Sequence, residues 1–189
     1  MGSFGAGISG FTPTLVVNSA SINFTSIVAG GSWVLALNAS GHLYGWGTSG
    51  KLGYSGLNFY VPTLLTGGVT WSKVYAGLTF SCGIRKDNAF TYCWGTNEKG
   101  ECGVGNFVSP VIFGGLGFPT IPVGGVSTPY TFSMISLGTY HACGIEKNSS
   151  YMFCWGMNNN GEHGWPLPQG DGGTALPFTV GAPEPCVDW

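Results

Sequence analysis

The sequence predicts an all-β chain made of three copies of one antiparallel unit, and three observations carry that prediction. The first is a recurring frame. Val28-Ala29-Gly30 through Leu43-Tyr44-Gly45-Trp46-Gly47 returns as Tyr75-Ala76-Gly77 through Thr91-Tyr92-Cys93-Trp94-Gly95, and again as Leu137-Gly138 through Met152-Phe153-Cys154-Trp155-Gly156. Self-similarity of this kind sets the architecture before any single side chain is interpreted. The second is composition: 34 Gly and 11 Pro in 189 residues, with 14% aromatics, suit short strands joined by tight turns. The third is periodicity. No stretch holds apolar residues at helical spacing for three turns, whereas Val34-Leu35-Ala36-Leu37, His42-Leu43-Tyr44 and Phe90-Thr91-Tyr92 are bounded by turn residues and rich in β formers. Strands of roughly four to six residues are expected.

The flanks fix the units. Ile22-Asn23-Phe24, Val69-Thr70-Trp71, Tyr130-Thr131-Phe132 and Val187-Asp188-Trp189 occupy one place in successive copies, 47, 61 and 57 residues apart. The units run 24–70, 71–131 and 132–189, the last including the opening of a fourth, and residues 1–23 read as the closing strand of a preceding copy. Pro13-Thr14-Leu15-Val16-Val17 supports this, because it matches Pro62-Thr63-Leu64-Leu65, Pro119-Thr120-Ile121 and Pro177-Phe178-Thr179-Val180 at the ends of the other units. Ala39-Ser40-Gly41-His42 and Lys86-Asp87-Asn88 sit where a hairpin needs its turn. A Gly- and Pro-rich insertion from Phe113 to Pro129 stretches the second unit. Repeats bury their faces against their neighbours, so no single large core is required.

Charged residues make up 7% of the chain and the formal net charge is −2, against about 25% charged residues in ordinary soluble domains. Nucleic acid is a poor partner for such a chain, because phosphate binding needs clustered Lys and Arg and Arg85-Lys86 is the densest basic site. Neighbouring protein or glycans must cover so uncharged a surface. Asn23-Phe24-Thr25, Asn38-Ala39-Ser40 and Asn148-Ser149-Ser150 are acceptor triplets for N-glycosylation. Asn38 and Asn148 lie by the same turn in two copies and rank ahead of Asn23, which adjoins a Phe24 expected to be buried.

Cys82 and Cys93 are 11 residues apart, as are Cys143 and Cys154, at equivalent places in copies two and three. In copy one both are absent together, replaced by Leu35 and Gly45. Antiparallel strands around an intervening turn would bring such positions within disulfide reach; small buried thiols are the bland alternative, and metal binding is weaker, as no C-x-x-C is present. Two disulfides imply an oxidising compartment. Cys102 and Cys186 remain for a bridge to each other or to another chain. Met1-Gly2-Ser3-Phe4-Gly5-Ala6 has neither the basic start nor the apolar region of a leader, and no apolar run reaches the about 18 residues of a membrane helix. A secreted product would then have lost its leader or belong to a longer chain.

The order Ala-Gly, strand, turn, aromatic-x-Trp-Gly, then Asn-x-x-Gly-x-x-Gly resembles the regulator of chromosome condensation repeat. The closing element reads Thr48-Ser49-Gly50-Lys51-Leu52-Gly53, Thr96-Asn97-Glu98-Lys99-Gly100-Glu101-Cys102-Gly103 and Asn158-Asn159-Asn160-Gly161-Glu162-His163-Gly164. The resemblance covers residues 24–189 and implies β-propeller blades; its paired-cysteine form is similar to extracellular members such as crinkly-type plant receptor ectodomains. Family propellers close with about seven blades, and three leave an incomplete ring or an open array with unpaired edges that something must cover.

No catalytic, cofactor or metal site emerges. His141 aligns with Phe80 and Trp33, which implies packing; His163 aligns with Leu52 and Cys102. Glu98, Glu101 and Glu162 fall in closing turns instead of converging on a pocket, and no nucleophile elbow surrounds a Ser. Gly5-Ala6-Gly7 is no phosphate loop. Trp46, Trp94 and Trp155 recur once per copy and read as wedges between blades, while Trp71 and Trp165 are less constrained and suit an interface. The expected function is a non-enzymatic extracellular structural protein that self-associates through its incomplete ends into a glycosylated fibre or sheath. The alternative is a protein-binding module from a larger propeller. Nucleotide exchange on a small GTPase, the founding member's role, is opposed by the cysteines and triplets.

Overall fold

The computed structural model describes residues 12–13, 15–16, 19–65, 68–112, 123 and 130–164, and the backbone of 174–179. Three antiparallel sheets follow one another along the chain. The first has the order β1 (Phe24–Ala29), β2 (Trp33–Asn38), β3 (Leu43–Gly47), β4 (Phe59–Leu64). The second holds β5 (Trp71–Ala76), β6 (Phe80–Arg85) and β7 (Thr91–Gly95); the third holds β8 (Phe132–Leu137), β9 (His141–Glu146), β10 (Met152–Gly156) and β11 (Thr174–Thr179). The all-β reading and its antiparallel repeats are therefore what the chain adopts. Residues 1–11, the body of the 113–129 insertion, Trp165 and residues 180–189 lie outside the described part.

The copies share a register fault that gives each sheet its shape. The first strand slips against the second between Phe24 and Ser26, between Trp71 and Lys73, and between Phe132 and Met134. A bulge leaves a ladder acceptor without its backbone donor. Here the extra residue supplies a hydroxyl instead: Thr25 Oγ1 donates to Leu37 O at 3.3 Å, Ser72 Oγ to Ile84 O at 3.0 Å and Ser133 Oγ to Ile145 O at 3.1 Å. The aromatic beside the bulge packs on the tryptophan of the same sheet. Ring centroids are 6.4 Å apart for Phe24 and Trp46, 5.5 Å for Trp71 and Trp94, and 5.4 Å for Phe132 and Trp155.

The glycine after each tryptophan has a steric cause. Gly47, Gly95 and Gly156 have φ of 103°, 110° and 91°, and a Cβ on Gly47 would lie 2.3 Å from Ser32 O. That crossing lets the next amide close the frame: Thr48, Thr96 and Met157 N–H donate to Ser32, Thr79 and Tyr140 O at 3.0, 3.1 and 2.8 Å.

The insertion in the second copy does not disturb the outer edge. Leu65 N–H donates to Leu43 O at 2.9 Å in the first sheet, and Val123 N–H makes the equivalent bond to Thr91 O at 2.8 Å in the second. Both side chains are buried. Val111 bridges Gly95, so among the described residues Val111 and Val123 take outer-edge places that β4 and Leu65 fill in the first sheet.

All three sheets point the same way. Trp71 N–H donates to Gly41 O at 2.8 Å on one rim, and Leu78 N–H to Gly138 O at 3.5 Å on the other. The first, the hairpin rim, carries the turns after β2, β6 and β9. The second, the closing rim, carries the turns after β1, β5 and β8 and the segments that follow each Trp-Gly.

Gly47→Ala should lower stability by about 2–4 kcal/mol through strain and the Ser32 clash. Gly50→Ala, where a Cβ meets nothing within 4 Å, should stay within about 0.5 kcal/mol. Urea unfolding of the two variants beside the wild type measures both.

Candidate interaction face

Two junctions between sheets are closed, and they obey one rule. The tryptophan of each sheet packs on the closing turn of the sheet before it. Trp94 lies with Leu52, Leu35, Leu65 and Trp71 in the core between the first and second sheets. Trp155 lies with Cys102, Val104, Val123 and Phe132 between the second and third, and its indole Nε1 donates to Glu101 O at 2.8 Å. Trp33 Nε1 also crosses the first junction, to Ser81 Oγ at 2.8 Å. Burying an indole contributes about 2–3 kcal/mol, and a satisfied N–H removes the penalty that would offset it. The closing turns are held by their own asparagines: Asn97 Oδ1 accepts from Cys102 N–H and Asn158 Oδ1 from His163 N–H, each at 2.9 Å.

Among the described residues, the first sheet shows the same face without that neighbour. Trp94 and Trp155 are fully buried, but Trp46 is only half-buried and its indole has no hydrogen-bond partner among the described residues. Beside it is an open groove of about 450 Å³ lined by Leu15, Val16, Phe24, Ile27 and Trp46 among others. Leu15 is 71% and Ile27 65% exposed. Thr12, Pro13, Leu15 and Val16, expected in a closing strand, have no strand conformation.

Cys82–Cys93 and Cys143–Cys154 are disulfides, each joining directly opposed residues of the central hairpin, with Cα–Cα 4.1 Å in both. Leu35 opposes Gly45 in the same register, and a Cβ on Gly45 would lie 2.7 Å from Leu65 Cδ1 and 2.8 Å from Leu52 Cδ2. In the first sheet a leucine opposite a glycine fills the space that a disulfide takes in the others. Cys102 corrects one expectation. It is a free, fully buried thiol whose Sγ contacts Thr96 O at 3.5 Å, occupying Leu52's place in its own closing turn and enclosed in the junction core. Burial pushes its pKa well up, and the neighbouring Glu101 adds to this. Cys186 lies outside the described residues. Trp71 is a second correction: it is fully buried and belongs to the core, not to an outer interface.

The ionisable residues are parts of the closing turns. Glu101 is fully buried; its Oε2 accepts from Lys99 N–H at 2.8 Å while Oε1 has no hydrogen-bond partner among the described residues. Burial raises its pKa. In Glu162 partial desolvation acts the same way, but hydrogen bonds from Asn160 outweigh it and the pKa is lowered. His163 is buried and its pKa is pulled down by desolvation, against a backbone carbonyl at Trp155 that pulls it up. His141 lies over Gly138, where a Cβ would meet its Cε1 at 2.4 Å, as Trp33 lies over Gly30. Among the described residues no group of three His, Cys, Asp or Glu is placed to hold a metal ion, and no helix is long and apolar enough to cross a membrane.

Of the candidate glycan acceptors, Asn148 and Asn23 are exposed and Asn38 is half-buried. Asn38 Oδ1 accepts from Ser40 and His42 N–H at 3.1 and 2.9 Å. Phe24, expected to be buried, is half-buried. The hydroxyls of Thr25, Ser72 and Ser133 escaped the sequence reading. A Thr or Ser after the first aromatic of every copy was the available signal.

Successive antiparallel sheets, each wedged on the closing turn of the last, define β-propeller blades. No protein-family model matches the sequence. Among solved structures, the chain superposes on yeast RCC1 (Prp20), described in complex with Kap60, with a TM-score of 0.65 and 20% identity over 85% of this chain and 37% of that one. Prp20p from Saccharomyces cerevisiae, described with its binding properties to Gsp1p and histones, gives 0.65 and 19%, over 85% and 39%. Human WBSCR16 gives 0.65 and 22%, over 94% and 44%. The fold is therefore that of RCC1-type propeller blades, and the chain spans less than half the length of these proteins.

The junction chemistry can be probed at its disulfides and at its ionisable groups. Cys82→Leu with Cys93→Gly copies the first sheet and removes a loop-closure contribution of about 3 kcal/mol, part of which leucine packing restores. Cys82→Ala with Cys93→Ala leaves a void and should cost more. Urea midpoints should fall in the order wild type, Leu/Gly, Ala/Ala.

Stability should also depend on pH. The depressed His163 contributes stability above its unfolded pKa that is lost as pH falls through the folded value; the raised Glu101 contributes stability at low pH that is lost as pH rises through its folded value. His163→Leu, which copies Leu52 of the first closing turn, should flatten the acid-side loss in thermal melts. Glu101→Gln should raise the melting temperature at neutral pH and leave it little changed at acid pH.

Proposed function

We propose that the chain is a non-enzymatic, extracellular protein-interaction module that self-associates by completing its first blade. The observation that carries this reading is the half-buried Trp46 with its unpartnered indole, on a face that the other two blades fill with a neighbouring closing turn. Repetition of that contact from copy to copy would give a fibre or sheath, because a head-to-tail contact that does not close propagates. The two disulfides support an oxidising compartment. The low charge supports partners that are proteins and not nucleic acids.

A second reading is a binding module within a larger propeller, whose first blade is completed by a different chain or by further blades. The RCC1-type fold and the protein-binding described for Prp20p favour it.

Ile27→Asp tests the face. Ile27 is 65% exposed, so the substitution leaves the blade core intact while placing a charge in the groove, which costs a buried contact several kcal/mol. Sedimentation and electron microscopy of the wild type should show concentration-dependent oligomers or fibres, and the variant should remain a folded monomer. A wild type that stays monomeric at all concentrations, or a variant that assembles unchanged, overturns self-association.

A further inference from the structure

The acceptor triplets are not scattered over the molecule. The hairpin rim carries Asn23, Asn38, Asn88 and Asn148, and three of these four begin a triplet. The closing rim carries more asparagines, Asn58, Asn97, Asn106, Asn158, Asn159 and Asn160, and none of them has Ser or Thr two residues on. Asn23 and Asn38 are adjacent, since Ala39 N–H donates to Asn23 O at 3.1 Å, and Asn148 occupies the matching turn two blades away. We propose that the hairpin rim is an N-glycosylated face and the closing rim is bare.

The geometry ranks the sites. Asn148, Ser149 and Ser150 are all exposed, and the Asn148 side-chain Nδ2 makes a single hydrogen bond among the described residues, donating to Glu146 Oε1 at 3.2 Å. Asn38 uses its Oδ1 within the turn, but its Nδ2 donates to nothing among the described residues, and Ala39 and Ser40 are exposed. Asn23 is exposed but shares its patch with Asn38, so one bulky glycan there obstructs the other. In the transfer, Nδ2 forms a bond to C1 of the first sugar of a lipid-pyrophosphate-linked oligosaccharide and loses one proton. The bond from C1 to the pyrophosphate oxygen breaks and the lipid pyrophosphate leaves. Glycans on this rim would also shield a surface with few charges, as Tyr151 and Met152 are 63% and 47% exposed beside Asn148.

The inference rests on the extracellular reading, and one preparation tests both. Protein isolated from its source is mapped under non-reducing conditions for Cys82–Cys93 and Cys143–Cys154. The same material is treated with peptide N-glycosidase in heavy-oxygen water, which marks each formerly glycosylated Asn as labelled Asp. Intact disulfides with label at Asn148 and Asn38, and none at the closing-rim asparagines, is the expected result. In protein secreted from cultured cells, Ser150→Ala should abolish the Asn148 label while leaving Asn148 itself and its bond to Glu146 in place. Intact disulfides with no labelled Asn would overturn the glycosylated rim alone; free thiols at all four cysteines would overturn the extracellular reading and this inference with it.

Discussion

The packing of each Trp-Gly tryptophan against the preceding closing turn is the interaction on which this structure depends. A four-stranded sheet of this size cannot bury both its faces, and a few short strands are marginal alone in water. Trp94 and Trp155 solve that for their blades by entering a neighbour's turn, and the neighbour's turn is in exchange protected by the indole. The turn has to be rigid to receive them. That is the role of Asn97 and Asn158, whose side chains replace backbone partners inside the loop. It is also why the glycine after tryptophan is not free to vary, since its positive φ aims the chain into the turn.

The sheets themselves are kept in step by devices that do not need a large core. A hydroxyl at the bulge restores a lost ladder bond, and the bulge turns the first aromatic of each copy onto the tryptophan. The two strands of the central hairpin are then pinned to each other, by a disulfide in the second and third blades and by Leu35 opposite Gly45 in the first. These solutions differ physically. A disulfide acts chiefly on the unfolded chain, whereas the leucine acts through burial in the folded one.

Much of this was legible because the copies can be compared with one another. The joint absence of both cysteines from the first copy, together with the hairpin geometry expected around the intervening turn, pointed to the Cys82–Cys93 and Cys143–Cys154 pairs, and the recurrence of Trp before Gly pointed to the wedges, of which Trp94 and Trp155 are buried in junctions and Trp46 is only half-buried. What was hidden involves long-range contacts, between copies or across an insertion, that sequence alignment does not display. Trp71 looked like an interface residue because the repeat constrains it less than Trp46, Trp94 and Trp155, yet it fills the junction core. Cys102 looked like a bridging cysteine by parity, yet it takes a leucine's place. Val123 sits inside an insertion that interrupts the second unit, yet it restores the outer-edge bond that Leu65 makes in the first. Each is a case where a position's environment, not its residue type, decided the role.

The closing turns also show how nearly identical blades keep their order. Their central buried position holds Leu52, Cys102 and His163 in turn, so the three surfaces offered to a following tryptophan are not interchangeable. Equivalent turns would let a blade dock on the wrong neighbour at little cost, which is a hazard of repeat proteins. Leu52 offers only apolar contact; Cys102 comes with the carbonyl of Glu101 aimed at an indole N–H; His163 brings a polar ring whose burial disfavours its charge. A blade that pairs with one of these leaves a different group unsatisfied when moved to another, so the variation between copies carries the specificity that their similarity alone would erase.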